Sequence, residues 1–261
     1  MPNDEFVTAA GHRLEWRQIR GAHRSRPTLV FLHQGLGCAA MWRDFPERLV
    51  ARTGWDAVVY SRWGYGRSDA RHGQWPVSFM HDEALTALPE VLAAADVADP
   101  VLVGHSDGAS IALIFAGRHP DAVRALVLVA PHVFVEDVCL HRIEDAGRAF
   151  EEGTLRAGLR RYHGDNTESM FRGWQGAWLA SDFRTWDIRD STARIRVPTL
   201  VVQGELDEYG TLAQVDEIAA RSSGTVERLV LAGCGHEPQR DRPDEVLDAM
   251  ARFILGLPAT G

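Results

Sequence analysis

Six short, almost wholly apolar runs punctuate the chain: 27–33 (PTLVFLH), 57–60 (AVVY), 101–103 (VLV), 125–129 (ALVLV), 198–202 (PTLVV) and 229–231 (LVL). A continuous β-branched run, unlike an alternating one, marks a strand covered on both faces. Helical patterns near 41–53, 78–96, 107–118, 211–222 and 243–255 fall between or after them. Strand–helix alternation of this kind requires crossover connections, and hence a mostly parallel sheet with helices on both faces. Residues 13–19 alternate apolar with polar, which predicts a further strand near one edge.

The alternation breaks between about 133 and 192, where no strand signal occurs. Met170, Phe171, Trp174, Ala177 and Trp178 fall at helical spacing behind a possible cap at Asp165 or Asn166, and Phe183 and Trp186 are expected on a second short helix. This predicts one core domain, 1–132 and 193–261, interrupted by a helical lid at 133–192. A lid of that size has little interior of its own, so some of its rings should roof a cleft. The candidate pocket residues are Phe134, Met170, Phe171, Trp174, Trp178 and Trp186. The tail 257–261 reads as loose.

Composition excludes several functions. The 261 residues carry a net charge of −8, with no basic run, which disfavours nucleic acid and anionic membrane as partners. All 28 basic residues are arginine, so no Schiff-base lysine and no Walker-loop lysine is available. The three cysteines, Cys38, Cys139 and Cys234, are far apart and form no CxxC pair, which argues against a disulfide framework or structural zinc site and for a reducing compartment. The opening Met1-Pro2-Asn3-Asp4-Glu5 is acidic where a signal peptide would be basic, and no apolar stretch approaches the roughly 20 residues of a spanning helix, so a cytoplasmic location is expected.

The chemistry is carried by Gly104-His105-Ser106-Asp107-Gly108, which directly follows the run at 101–103 and opens a helical stretch containing Ile111, Leu113, Ile114 and Phe115. Strand, G-x-S-x-G and helix together are the context of a nucleophile elbow. The serine occupies a strained turn, and glycine two residues to each side removes the Cβ atoms that would clash. The helix N-terminus directs free N–H groups and a partial positive charge toward the serine oxygen. Ser106 is therefore the candidate nucleophile.

A serine needs a base within hydrogen-bond reach. His236, in Gly233-Cys234-Gly235-His236 after the run at 229–231, falls at the carboxyl edge of the sheet, the edge that carries Ser106. His105 should point away from the hydroxyl, His33 should brace a loop, and His119 marks a helix end before Pro120. The base needs an acid to orient it. Asp207, in Gln203-Gly204-Glu205-Leu206-Asp207-Glu208, is the first choice, with Glu205 and Glu208 as near competitors and Glu136 or Asp137 as an earlier alternative location. The order Ser106, Asp207, His236 differs from that of chymotrypsin-like and subtilisin-like enzymes. Oxyanion donors are expected from the Asp107 N–H and from the turn His33-Gln34-Gly35-Leu36-Gly37, with Gly35 as the preferred second donor and Gln34 as the alternative.

Together these residues resemble the α/β-hydrolase superfamily, in particular its small lidded serine members, over about residues 12–256. His33-Gln34-Gly35 is similar to the family's His-Gly-x oxyanion turn, with Gln34 where glycine is usual. Gly64-Tyr65-Gly66-Arg67-Ser68-Asp69 resembles its G-x-G-x-S-D loop, although Ser61-Arg62-Trp63 stands where D-x-R often precedes it. The resemblance implies an α/β-hydrolase fold with an inserted helical lid and a Ser-His-Asp triad acting without metal or organic cofactor. The expected activity is hydrolysis of a carboxylic ester or thioester of a small, largely apolar or aromatic acid, with that small molecule as partner and neither nucleic acid nor membrane. The alternatives are a carbon–carbon hydrolase or enol-lactonase acting on an aromatic-degradation intermediate, and a ligand-binding module on the same scaffold.

Overall fold

In a computed structural model, described over residues 5–23 and 27–258, the chain forms one eight-stranded sheet. The acidic opening 1–4 and the end of the tail, 259–261, lie outside the described residues. In chain order the strands are β1 (Phe6–Ala9), β2 (His12–Ile19), β3 (Leu29–Leu32), β4 (Ala57–Tyr60), β5 (Val101–His105), β6 (Ala125–Val129), β7 (Thr199–Gly204) and β8 (Val226–Leu231). They are ordered β1-β2-β4-β3-β5-β6-β7-β8 across the sheet. The β1–β2 and β2–β4 pairs are antiparallel and all the others are parallel. The strand expected near one edge at 13–19 is second from that edge, with β1, four residues and too short to show a period, paired outside it. At the other edge β8 starts earlier than its apolar run, since Glu227 and Arg228 are exposed there. Charges of this kind blunt a sheet edge.

The helices are α1 (Phe45–Thr53), α2 (Phe79–Asp82), α3 (Leu88–Ala94), α4 (Asp107–Arg118), α5 (Asp137–Glu151), α6 (Thr154–His163), α7 (Thr167–Trp178), α8 (Arg189–Thr192), α9 (Leu212–Arg221), α10 (Pro238–Asp241) and α11 (Pro243–Leu255). Strand residues of alternate parity feed two cores. Val30, Leu32, Leu102, Leu126 and Leu128 pack with α4 and the insertion, whereas Leu29, Phe31, Val101, Val103, Val127 and Val129 pack with α1 and α11. Each such side chain removed from water contributes about 1.5–3 kcal/mol, which is why the central strands read as unbroken apolar runs.

Two stretches depart from simple helix. The expected helix near 41–53 splits into a 3-10 turn, Ala39–Trp42, and α1, with Arg43 at φ 53° between them. The 78–96 stretch contains a π turn, Glu83–Ala87, between α2 and α3, and it carries Glu83 inward, where Tyr60 Oη donates to Glu83 Oε1 at 2.6 Å. Between β6 and β7 the described backbone forms α5 to α8 and two 3-10 turns, plus one isolated bridge, Phe134 to Asp187. Phe183 lies on the 3-10 turn Ser181–Thr185, but Trp186 lies beyond it in extended backbone, because the chain there leaves the turn toward that bridge. Asn166 precedes α7 without a side-chain cap bond. Its amide donates instead to Gly66 O at 3.2 Å and Ser68 O at 2.8 Å, tying the insertion to the glycine-rich loop.

Candidate active site

Ser106 joins β5 to α4 with φ 53° and ψ −119°. An L-residue occupies that region only where its surroundings enforce it. Here the Ser106 N–H donates to Val129 O at 2.9 Å, and Ser106 O accepts from Ala109 and Ser110 N–H at 2.8 and 3.1 Å. The flanking glycines are required sterically. A Cβ at Gly104 would lie 2.4 Å from Gly108 O, and one at Gly108 would lie 2.0 Å from Leu32 O. The strand-to-helix turn therefore closes only with glycine at both positions, as the motif predicts.

Ser106 and His236 line one cavity of about 350 Å³, together with Gln34, Gly35 and Asp107. His236 is carried by the loop after β8. Its Nδ1 donates to both oxygens of Asp207, at 2.8 and 2.9 Å, which leaves Nε2 of the neutral ring as an acceptor. Asp207 is fixed on its other sides by Gln203 Nε2 at 2.7 Å and by the N–H groups of Tyr209 and Gly210 at 2.8 and 3.3 Å. Burial pushes the Asp207 carboxyl up, but the His236 hydrogen bond and the Tyr209 N–H outweigh it and hold it below the ordinary 3.8. The competing acids are engaged elsewhere. Glu205 accepts from Gly233 N–H at 3.1 Å, and Glu208 accepts from the main-chain N–H of His236 at 3.2 Å rather than from its ring. Glu136 accepts from Thr211 and Gln214, pinning the start of α9, and Asp137 opens α5.

His105 and His33 serve as braces, and His119 stands at the C-terminal end of α4. His105 Nε2 meets His236 O at 2.9 Å, while its Nδ1 accepts from Gln239 Nε2 at 3.1 Å, so Nε2 is the protonated nitrogen and holds the His236 loop. His33 Nδ1 donates to Gln34 O at 2.8 Å and Nε2 accepts from Arg62 N–H at 3.1 Å, so the turn 33–37 is braced from within. Gln34 also donates through Nε2 to Glu237 Oε1 at 2.9 Å.

The aromatic expectations divide. Trp174 and Trp178 line the cavity. Met170, Phe171, Trp186 and Phe134 are not among its lining residues. Phe171 stacks on Phe150 with centroids 3.8 Å apart, Met170 is fully buried in the core, Trp186 stacks on Phe183 at 5.4 Å, and Phe134 lies under the Arg189 guanidinium. Rings at helical spacing on α7 fill the space between α5 and α7 before they reach the cavity. The sequence reading missed Ile143, Leu155 and Leu159, whose wall is aliphatic, and His132, which ends the turn after β6. Their signal was present, as Leu155 and Leu159 stand one helical turn apart, but aliphatic spacing does not separate a cavity wall from a core. A second cavity of about 460 Å³ adjoins the first and shares Gln34, Met41, Leu155, Leu159, Glu237 and Arg240 with it.

Among the described residues no group of His, Cys, Asp and Glu is placed to hold a metal ion, and no helix is long and apolar enough to cross a membrane. All three cysteines are unpaired.

The strand order, the glycine-flanked serine turn and the shared cavity define a protein of the α/β-hydrolase class. A family model described as the alpha/beta hydrolase fold matches residues 27–151. The pimeloyl-[acyl-carrier protein] methyl ester esterase of Xanthomonas campestris is 30% identical over 212 residues, covering 69% of this chain and 81% of that one. The proline iminopeptidase of Lactobacillus helveticus is 22% identical over 91% of this chain and 92% of its own. Among solved structures, an esterase from Exiguobacterium antarcticum superposes with a TM-score of 0.76 at 21% identity (95% of this chain, 98% of that one). The enol-lactonase of Burkholderia xenovorans LB400 gives 0.75 at 19% identity (95% and 99%). The chain belongs to the α/β-hydrolase superfamily.

Proposed function

We propose that the protein is a serine hydrolase that cleaves a carboxylic ester or thioester of a small, largely apolar acid through an acyl-enzyme. The observation that carries this reading is the pairing of Nδ1 of His236, which lines the cavity that holds the strained Ser106, with both Asp207 oxygens. With Nδ1 committed to Asp207, His236 Nε2 takes the Ser106 proton as Oγ attacks the substrate carbonyl. The Gly35 and Asp107 N–H groups hold the oxyanion, each worth about 3–4 kcal/mol to the transition state. The protonated His236 then delivers its proton to the leaving oxygen or sulfur, and afterwards activates a water that releases the acid from Ser106. Asp207 stabilises the imidazolium throughout. The 133–192 insertion acts as a lid whose α5, α6 and α7 wall the acyl site with Ile143, Leu155, Leu159, Trp174 and Trp178.

Relatives of the same superfamily include esterases and, at lower identity, an enol-lactonase. The same residues would serve a lactone or a carbon–carbon bond beside a ketone. A panel of acyl-chain lengths, aryl esters, a lactone and a vinylogous diketo acid separates these reactions. A fluorophosphonate should label Ser106 alone, and Ser106→Ala should fold normally and lose at least about a thousandfold in kcat. Retention of more than a tenth of the activity would remove Ser106 from the mechanism, and absence of any covalent adduct would favour a binding module.

A further inference from the structure

The residue after Ser106 is an acid sealed from water. Asp107 is 1% exposed. Its Oδ1 accepts from Trp178 Nε1 at 3.2 Å, while Oδ2 has no hydrogen-bond partner and lies 3.9 Å from Arg62 Nη2. Trp174 Nε1 also has no hydrogen-bond partner, yet it lies close enough to favour the carboxylate's charge. Burial pushes the Asp107 carboxyl up, with the Arg62 charge working against it.

Arg62 is as deeply buried, at 2% exposure. Its Nη2 donates to two main-chain carbonyls, Gln34 O at 2.9 Å and His33 O at 3.3 Å. Its Cζ lies 4.5 Å over the Tyr65 ring. Those two carbonyls matter because of peptide geometry. A trans peptide is planar, so its C=O and N–H point in opposite directions. The His33 carbonyl shares a peptide unit with the Gln34 N–H, and the Gln34 carbonyl shares one with the Gly35 N–H. These are the two candidate oxyanion donors of the turn. A single guanidinium nitrogen thus contacts both carbonyls, and at Gln34 O it acts alongside His33 Nδ1 at 2.8 Å and the Gly37 N–H at 3.0 Å. The glycine-rich loop departs from its family pattern at this point, with Ser61-Arg62-Trp63 in place of D-x-R.

We propose that Arg62 and Asp107 form a buried positioning pair for the oxyanion site, in which Arg62 aims the Gln34 and Gly35 N–H groups through their peptide planes and Asp107 anchors Arg62. Asp107 has two roles in this arrangement: its main-chain N–H faces the reaction and its carboxylate holds the turn that supplies the other donor. Trp178, from α7, grips the same carboxylate and so links the seating of the insertion to the direction of the donors. The proposal rests on the serine-hydrolase reading above.

The test compares the wild type with Asp107→Asn, Arg62→Met and the double variant Arg62→Met/Asp107→Asn, with Ser106→Ala alongside. Arg62→Met alone leaves a buried carboxylate uncompensated, so the double variant, which removes both charges and keeps the volume, is the decisive one. Each variant is assayed for kcat, KM, melting temperature and inhibition by an aryl trifluoromethyl ketone, whose hemiketal oxyanion needs the donors. For the double variant, kcat should fall tenfold to a thousandfold, with KM within about threefold and inhibitor affinity falling in step with kcat. Asp107→Asn keeps an acceptor for Trp178 and should lose about tenfold in kcat. A folded double variant with kcat within twofold of the wild type, beside an inactive Ser106→Ala, would overturn this proposal alone. Failure of the double variant to fold would overturn it too, making the pair a determinant of folding rather than of donor direction. An active Ser106→Ala would overturn the serine reading and this proposal with it.

Discussion

Gln34 Nε2 donates to Glu237 Oε1 over 2.9 Å, a bond between the turn after β3 and the residue after His236, 203 positions later in the chain. It lies where the two cavities of about 350 and 460 Å³ meet. Burial pushes the Glu237 carboxyl up, but nearby positive charge, with Arg240 Nη1 donating to Oε2 at 2.8 Å, holds it below the ordinary 4.5, so it stays an acceptor. Gln34→Gly removes the side chain between the chambers. Esters of bulky alcohols should then gain about threefold to tenfold in kcat/KM relative to methyl esters, the size of change a pocket wall commonly controls. An unchanged ratio across an alcohol series would show that the bridge is not a partition.

Asp207→Asn should cut kcat by about four orders of magnitude while leaving the fold intact, because the amide favours the wrong imidazole tautomer. Asp137→Asn should be nearly silent, since Asp137 opens α5 and no hydrogen bond links it to the ring among the described residues. Rate and melting temperature for both variants decide the matter. A crippled Asp137→Asn would place the acid after β6 instead.

Acid should unfold this protein early. His33, His105, His132 and His163 are each 2% exposed, and burial holds each below its ordinary 6.5: to about 4 for His105 and His163, to about 3 for His132, and well below for His33. The folded chain keeps these rings neutral, whereas the unfolded chain protonates them. Stability from this source is therefore complete above about pH 6.5 and is lost as pH falls toward 4. At pH 5 His105, His132 and His163 each cost about 2 kcal/mol, on the scale of 1.4 kcal/mol per pH unit, and His33 acts in the same sense. Together they are a large share of the stability of an ordinary domain, about 5–15 kcal/mol. Asp107 and Glu83, whose carboxyls are raised by burial, act in the opposite sense, from their raised values down to the ordinary carboxylate range. Thermal melts from pH 7.5 to 5 should show a steep fall below about pH 6; a flat melting temperature over that range would contradict this account.

Trp178 is 1% exposed and packs against Phe183, Trp186 and His132 while bonding Asp107. Trp178→Ala should therefore cost about 3–5 kcal/mol of stability and lower turnover of large and small esters alike. Acyl preference should respond instead to Leu155, which is half-buried and lines both cavities. Leu155→Ala should lose a few-fold in kcat/KM for long or aryl acyl groups, with acetyl esters and the melting temperature little changed. A loss confined to bulky acyl groups in Trp178→Ala, with an unchanged melt, would reverse these two assignments.

The chain's local physics determined the sheet and the glycine-flanked turn at Ser106. Runs such as Leu29–Leu32 and Val101–His105 have no polar face to offer solvent, so they could only become central parallel strands, and Gly104 and Gly108 announce a turn that no Cβ permits. The short β1, its inward residues only Val7 and Ala9, was too brief to carry a period. What the linear pattern could not decide was which buried side chain faces a cavity and which faces a neighbour. Met170, Phe171, Trp174 and Trp178 share one helix and one spacing, and only the packing of α5 against α7 turned the first two into core and brought the others to the cavity above Ser106. The same holds for Arg62. In sequence it fills the unspecified middle position of a D-x-R pattern whose two ends are Ser61 and Trp63 here, and its hold on the His33 and Gln34 carbonyls exists only because β3 and β4 lie side by side. Burial and hydrogen bonding between segments far apart in the chain are properties of the assembled sheet, and no local signal encodes them.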